Sequence, residues 1–183
     1  MKTLLAIAAL ATTLATPALA ADWTVDMEKS HLTFSGSQTG GKTFDGEFER
    51  FDAAIRFDPD DLGNAMAHVE VDLTSASTHD KQRDAMMGSA VWLDAKAGPA
   101  IFEATSFEKQ ADGSYVANGT LTLKGTAQPV SLPFTLDIQG DTAHATGSTV
   151  LHRGDFGLGG KEYADGKYVG LDVTVTIDIT ATR

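Results

Sequence analysis

From Val169 to Ala181 the chain alternates: Val169, Leu171, Val173, Val175, Ile177, Ile179 and Ala181 are apolar, and the residues between them are small or polar. Successive side chains of an extended strand point to opposite faces, so this period of two predicts a long strand with one dry and one wet face. The pattern recurs at Ala67, Val69, Val71 and Leu73, at Tyr115, Ala117, Gly119, Leu121 and Leu123, and at Val130, Leu132, Phe134, Leu136 and Ile138. Shorter strands are expected at 23–27, 31–37, 102–109 and 142–152. Phe44, Gly46 and Phe48 share one parity and Phe51, Ala53, Ile55 and Phe57 the other. One long strand bent by a β-bulge near Glu49 and Arg50 accounts for the switch.

Asp112-Gly113, Gly125 and Gly140-Asp141 fall at hairpin distances, which makes the order an antiparallel meander. The helix candidate runs from Ser77, as N-cap with Asp80 three residues on, to Gly88 as its stop. It interrupts the strands as a lid or plug would. About eight long one-sided strands leave exposed edges unless the sheet closes. The expected fold is therefore all-β: a lipocalin-like, eight-stranded antiparallel β-barrel with one short helix at the mouth. Eight strands enclose just enough room for side chains or one slender ligand.

The first twenty residues carry a charged start at Lys2, an apolar run from Leu4 to Ala15 and small residues at Ala18 and Ala20. They read as a secretory signal peptide cut after Ala20, followed by one domain over 21–183 and a periplasmic location. The run is shorter than a spanning helix requires, so no stable membrane insertion is expected. There is no cysteine to carry a lipid anchor or a disulfide, and the fold must stand on its own core. Without Lys2 the chain has 13 basic and 25 acidic residues, a net charge of −12. Such a surface repels nucleic-acid phosphates, so no nucleic-acid partner is expected.

Gly36-Ser37-Gln38-Thr39-Gly40-Gly41-Lys42-Thr43 matches the phosphate-binding P-loop pattern. That loop works at the start of a helix, whereas Phe44-Asp45-Gly46-Glu47-Phe48 alternates as a strand, so a glycine-rich hairpin turn is the better account. Asp58-Pro59-Asp60-Asp61-Leu62-Gly63 begins like a calcium loop but puts Leu62 and Val69 where oxygen ligands belong, and it reads as a turn. Arg153-Gly154-Asp155 is taken as structural. His31, His68, His79, His144 and His152 are scattered without metal-ligand spacing, and no serine sits in a nucleophile elbow. No metal, cofactor or catalytic residue is assigned.

The candidate ligand wall is therefore the apolar phase of the strands. In the first half it comprises Phe34, Phe44, Phe48, Phe51, Ile55 and Phe57; the helix and the turn after it add Met86, Met87 and Trp92. The second half supplies Phe102, Phe107, Leu121, Leu123, Phe134, Leu136 and Phe156, with Val173, Val175 and Ile177 from the last strand. Thioethers beside a tryptophan make an adaptable surface suited to a flexible chain.

Five segments taken in order, SHLTFSG, FDGEFERFDAAIRFDPDDL, DKQRDAMMGSAVWLDAKAGPAIFEA, GTLTLKGTAQPVSLPF and LHRGDFGLGG, resemble successive blocks of the YceI-like polyisoprenoid-binding proteins. The most specific are Gly119 to Gly125, similar to the family's G-x-L-T-x-x-G strand, and Arg153 to Gly157, similar to its R-x-D-F-G. The resemblance implies an exported barrel holding a polyisoprenoid, an isoprenoid quinone or a fatty lipid. It places Arg83-Asp84 on the helix at the mouth, and Trp92-Leu93 where the family usually has two phenylalanines. It also offers a membrane b-type cytochrome as a partner, and it leaves the oligomeric state open, a dimer included. Two rival readings are a barrel enzyme acting on an isoprenoid or lipid, and an eight-stranded outer-membrane barrel, which would need its apolar phase outward.

Overall fold

The computed structural model describes residues 21–183; the expected signal peptide lies outside the described residues. The strands are β1 (Ala21–Val25), β2 (His31–Gln38), β3 (Lys42–Phe48), β4 (Phe51–Phe57), β5 (Met66–Val71), the two-residue β6 (Ala76–Ser77), β7 (Ala100–Lys109), β8 (Tyr115–Leu123), β9 (Thr126–Gln139), β10 (Thr142–His152) and β11 (Asp172–Thr182). Helix α1 covers Lys81–Met87.

Every pairing is antiparallel. The ladder runs β4-β5-β7-β8-β9-β10-β11. β1 pairs with β4 and β2 with β3, so these four make one long bent hairpin. β11 closes the barrel, opposing β2 over Thr174 to Asp178 and β1 at Ala181 and Thr182. Counting β1 with β2 and β3 with β4, eight strands surround the axis, as the alternation predicts.

The expected bend lies at Glu49 and Arg50, and it is tied from outside. The Arg50 N–H donates to Ser75 Oγ (3.0 Å), the Asp72 N–H donates to the Arg50 carbonyl (3.1 Å), and the Arg50 guanidinium donates to the Asp72 carboxylate (2.8 Å). The parity switch keeps Phe48 and Phe51 both on the interior side. The P-loop look-alike forms a three-residue 3-10 turn, Thr39–Gly41, leading straight into β3, so its N–H groups do not head a helix.

Two boundaries differ from expectation. Ser77 does not cap the helix, because it pairs with Glu47 in the sheet; Asp80 is the cap, and its carboxylate accepts from the N–H groups of Gln82 and Arg83. An N-cap must sit just before the helix with its side chain free to accept from the first N–H groups, and a residue held in the sheet is not placed to do so. The last strand begins at Asp172 rather than Val169, because the Gly170 N–H donates to the Ser37 carbonyl and the carbonyls of Val169 and Gly170 are taken by Arg153.

The meander sorts its connections between two ends. At the plugged end lie 58–65, 110–114, 140–141 and the C-terminal Arg183; at the covered end lie 39–41, 72–99, 124–125 and 153–171.

Candidate functional site

The inward phases of the strands do not meet on the axis. They surround a cavity of about 340 Å³ lined by 40 residues, of which Thr149 and Arg153 alone are polar or charged. Along β9 the inward residues Leu132, Phe134, Leu136 and Ile138 line this space and are half-buried, while the residues between them are exposed on the outer face. Their remaining exposure is to the hollow.

Glycines opposite aromatic rings help keep the wall thin. Gly46 lies across from Phe34 in the β2–β3 ladder, and a Cβ there would run into the ring; Gly36 and Phe44 repeat the arrangement. Each ring lies against the neighbouring strand instead of filling the lumen. The Arg83 guanidinium stands 4.9 Å from the centre of the Phe44 ring and donates to Asp80. Asp84 accepts from the Thr78 N–H (2.8 Å) and hydroxyl (2.6 Å), fixing the helix to the chain before it.

The plugged end is filled by aromatic rings. Phe57 makes edge-to-face contacts with Phe107, Tyr115 and Phe134 at centroid distances of 5.4 to 6.0 Å. The Trp23 indole N–H donates to the Phe57 carbonyl (2.9 Å), so the polar atom of a buried ring is satisfied.

At the covered end Leu73, Leu93, Phe156 and Leu158 form a second cluster with Met87 and Trp92 packed against it. Arg153 organises it. Only 3% exposed, its guanidinium donates to the carbonyls of Leu158 (2.7 Å), Gly170 (2.8 Å), Val169 (2.8 Å) and Tyr163, and it lies 5.2 Å from the Trp92 ring centre. Burial draws its pKa below the ordinary guanidinium value, with Asp165 opposing. A planar fork of donors can hold several carbonyls of one irregular loop at once, which a lysine cannot.

Of the predicted wall, Phe34, Phe44, Phe48, Phe51, Ile55 and Phe57 all face the cavity. So do Met87, Trp92, Phe102, Phe107, Leu121 and Leu123, and likewise Phe134, Leu136, Phe156, Val173, Val175 and Ile177. Met86 does not: it is 48% exposed and absent from the lining, because adjacent residues on a helix point about 100° apart and Met87 takes the inward direction. The sequence reading missed Trp23, Leu73, Leu93, Leu158 and above all Arg153, whose role shows in sequence only as the first residue of the R-x-D-F-G block. Four of the five histidines, His68, His79, His144 and His152, stand beside carboxylates on the outer surface, as with His144 and Asp178 (2.7 Å) and His152 and Asp172 (3.0 Å).

Comparison with known proteins agrees with this geometry. The YceI-like domain profile matches residues 23–181. A UPF0312 protein of Vibrio cholerae is 30% identical over 178 residues, covering 90% of this chain and 94% of the relative. Among solved structures, Burkholderia cenocepacia BcnA superposes with a TM-score of 0.82 at 28% identity, covering 86% of this chain and 99% of BcnA. A domain of Saccharophagus degradans, described as polyisoprenoid binding, shares the fold with a TM-score of 0.70 at 16% identity, over 90% of this chain and 99% of that domain. The blocks that resemble one family in sequence thus lie on one closed barrel, and the chain belongs to the YceI-like family.

Proposed function

We propose that this protein is a periplasmic binding protein or carrier that holds one long apolar molecule, a polyisoprenoid, a quinone tail or a fatty lipid, inside the barrel. The observation that carries this reading is the hollow, almost wholly apolar interior. Its size falls within the range of small-molecule sites, and inward side chains facing empty space forgo dispersion contacts that a ligand chain would supply. Each buried methylene contributes about 0.8 kcal/mol, so about ten of them contribute about 8 kcal/mol, the scale of micromolar binding before ordering costs. The Saccharophagus domain described as polyisoprenoid binding supports the same ligand class.

The lining favours binding over chemistry. Its single titratable group, Arg153, already holds backbone carbonyls, and the hydroxyl of Thr149 donates to the Ser131 carbonyl (3.0 Å), so among the described residues the lining offers no base to activate a nucleophile. The outer-membrane reading conflicts with the wall itself, whose apolar phase faces in and whose outward residues along β9 include Ser131, Thr135 and Asp137. Carriage through the aqueous periplasm needs the polar face outside.

Native mass spectrometry of protein purified from its own host, with a fluorescence titration using a long-chain quinone, tests the reading. A copurifying apolar molecule of several hundred daltons, on the order of a pocket-sized ligand, supports it. Repeated recovery of empty protein that binds no added lipid overturns it. Fractionation of the host cells tests the location separately.

A further inference from the structure

Among the described residues, the large apolar side chains left exposed are distributed unevenly. Val91 (47% exposed) and Tyr168 (61%) sit with Met86 in the covered-end connections, and Val150 (59%) lies two residues before the end of β10 there. Met27, in the turn between β1 and β2, is the exception, and the plugged-end connections have none. Charge follows the same axis. The plugged-end connections hold five acidic residues and one basic residue, Arg183, whereas the covered-end connections hold seven of each.

Several of those cations stand beside the exposed apolar groups. Lys124 Nζ donates to the Val91 carbonyl (3.3 Å), and the Val91 side chain abuts Gly160, which precedes Lys161. Neither Lys124 nor Lys161 has a carboxylate partner among the described residues. Lys167, paired with Asp165, precedes Tyr168. Four of the seven acids at this end are engaged within the fold: Asp72 with Arg50, Asp80 as the cap of α1, Asp84 with Thr78 and Asp165 with Lys167; Glu162 adjoins Lys161 in sequence.

We propose that the covered end is a docking surface for an anionic phospholipid bilayer, with Val91, Tyr168 and Met86 entering the interface while Lys124 and Lys161 face the head groups. This rests on the carrier reading, since a cargo that dissolves in bilayers is exchanged there. Lysines near an anionic leaflet are attracted, and amphipathic surfaces with aromatic and aliphatic tips settle at the acyl boundary. With Lys2 removed in the expected signal peptide, a molecule of net charge −12 approaches such a leaflet only with its acidic end turned away. The acid-rich plugged end thus orients the protein with its covered end toward the membrane.

Flotation with vesicles of phosphatidylcholine alone, or with about a third phosphatidylglycerol, tests this. The mature protein should bind the anionic vesicles at least about tenfold more tightly than the neutral ones, and about 0.5 M salt should release it. Lys124→Glu with Lys161→Glu, and separately Val91→Ser with Tyr168→Ser, should each weaken vesicle binding by about tenfold or more. Unfolding curves and affinity for a soluble short-chain quinone should be unchanged in both, and Asp112→Asn at the plugged end should bind vesicles as wild type does. Failure of the wild type to bind anionic vesicles, loaded or empty, overturns the proposal. So does undiminished binding by the lysine variant, or a dimer in ultracentrifugation that the same substitutions dissolve, which would assign the patch to a second copy. Loss of docking with quinone affinity intact leaves the carrier reading standing; docking without any lipid affinity overturns that reading instead.

Discussion

The two ends of the barrel are closed by different physics. At the plugged end the connections are shorter, and the rings of Phe57, Phe107, Tyr115 and Phe134 fill the space between the strands, with Leu62 and Ala65 of the longest connection packed against them. At the covered end the connections are long and irregular, and they close it with hydrogen-bonded main chain laid over a small cluster of Leu73, Leu93, Phe156 and Leu158. There, one guanidinium gathers carbonyls of the 153–171 segment, and the Gly159 N–H donates to the Val91 carbonyl (2.8 Å) to join it to the other loop. Close-packed rings from separate strands open only if the barrel does. A loop held by one guanidinium and a small apolar cluster can open without the strands parting, so under the carrier reading the covered end is the expected route for a ligand.

The sharpest way to break this contrast is to weaken each end separately. Phe57→Ala should cost about 3–5 kcal/mol in urea unfolding, with one cooperative transition, because the void lies among rings from several strands. Next in size, Arg153→Lys should cost about 2–4 kcal/mol by leaving buried carbonyls unpaired. Limited proteolysis should then cut within 154–171 while the far-UV spectrum of the barrel persists. If Arg153→Lys instead leaves the loop resistant, the covered end is held by its apolar cluster and the contrast fails.

Narrowing the hollow between the two ends comes third. Leu136→Trp should cost about 1–3 kcal/mol for overpacking and abolish quinone binding, as read by fluorescence titration. A variant that folds and binds normally would show that the ligand does not occupy this part of the lumen.

A smaller effect is expected from pH at the strand bend under the covered end. The Thr74 hydroxyl, Arg50 and the Thr74 N–H hold the Asp72 carboxylate down to a pKa of about 2. A depressed folded-state pKa contributes stability above the unfolded value of about 3.9, and that stability is lost as pH falls from there through about 2. The melting temperature of wild type should therefore exceed that of Asp72→Asn near neutral pH and converge with it toward about pH 2. A gap that persists in acid would mean the contact is not ionic. Smallest of all, Thr174→Ala on the last strand, which does not line the cavity, should stay within about ±0.5 kcal/mol and leave binding unchanged.

The period of two determined the barrel wall. It named which residues of β5, β8, β9 and β11 face inward, and the parity switch located the bend at Glu49 and Arg50, because a side chain's face in a strand follows from its position alone. The rest depended on partners distant in sequence. Ser77 lost the capping role to Asp80 because Glu47 claimed it for the sheet, and Val169 left the last strand because Arg153 claimed its carbonyl. Met86 and Met87 are equivalent in composition, and only the helix orientation sent one inward and the other to the surface. That the inward side chains stop short of the axis and leave a cavity follows from strand number, tilt and the rings seated on Gly36 and Gly46. Those are properties of closure in three dimensions, and no local pattern of residues encodes them.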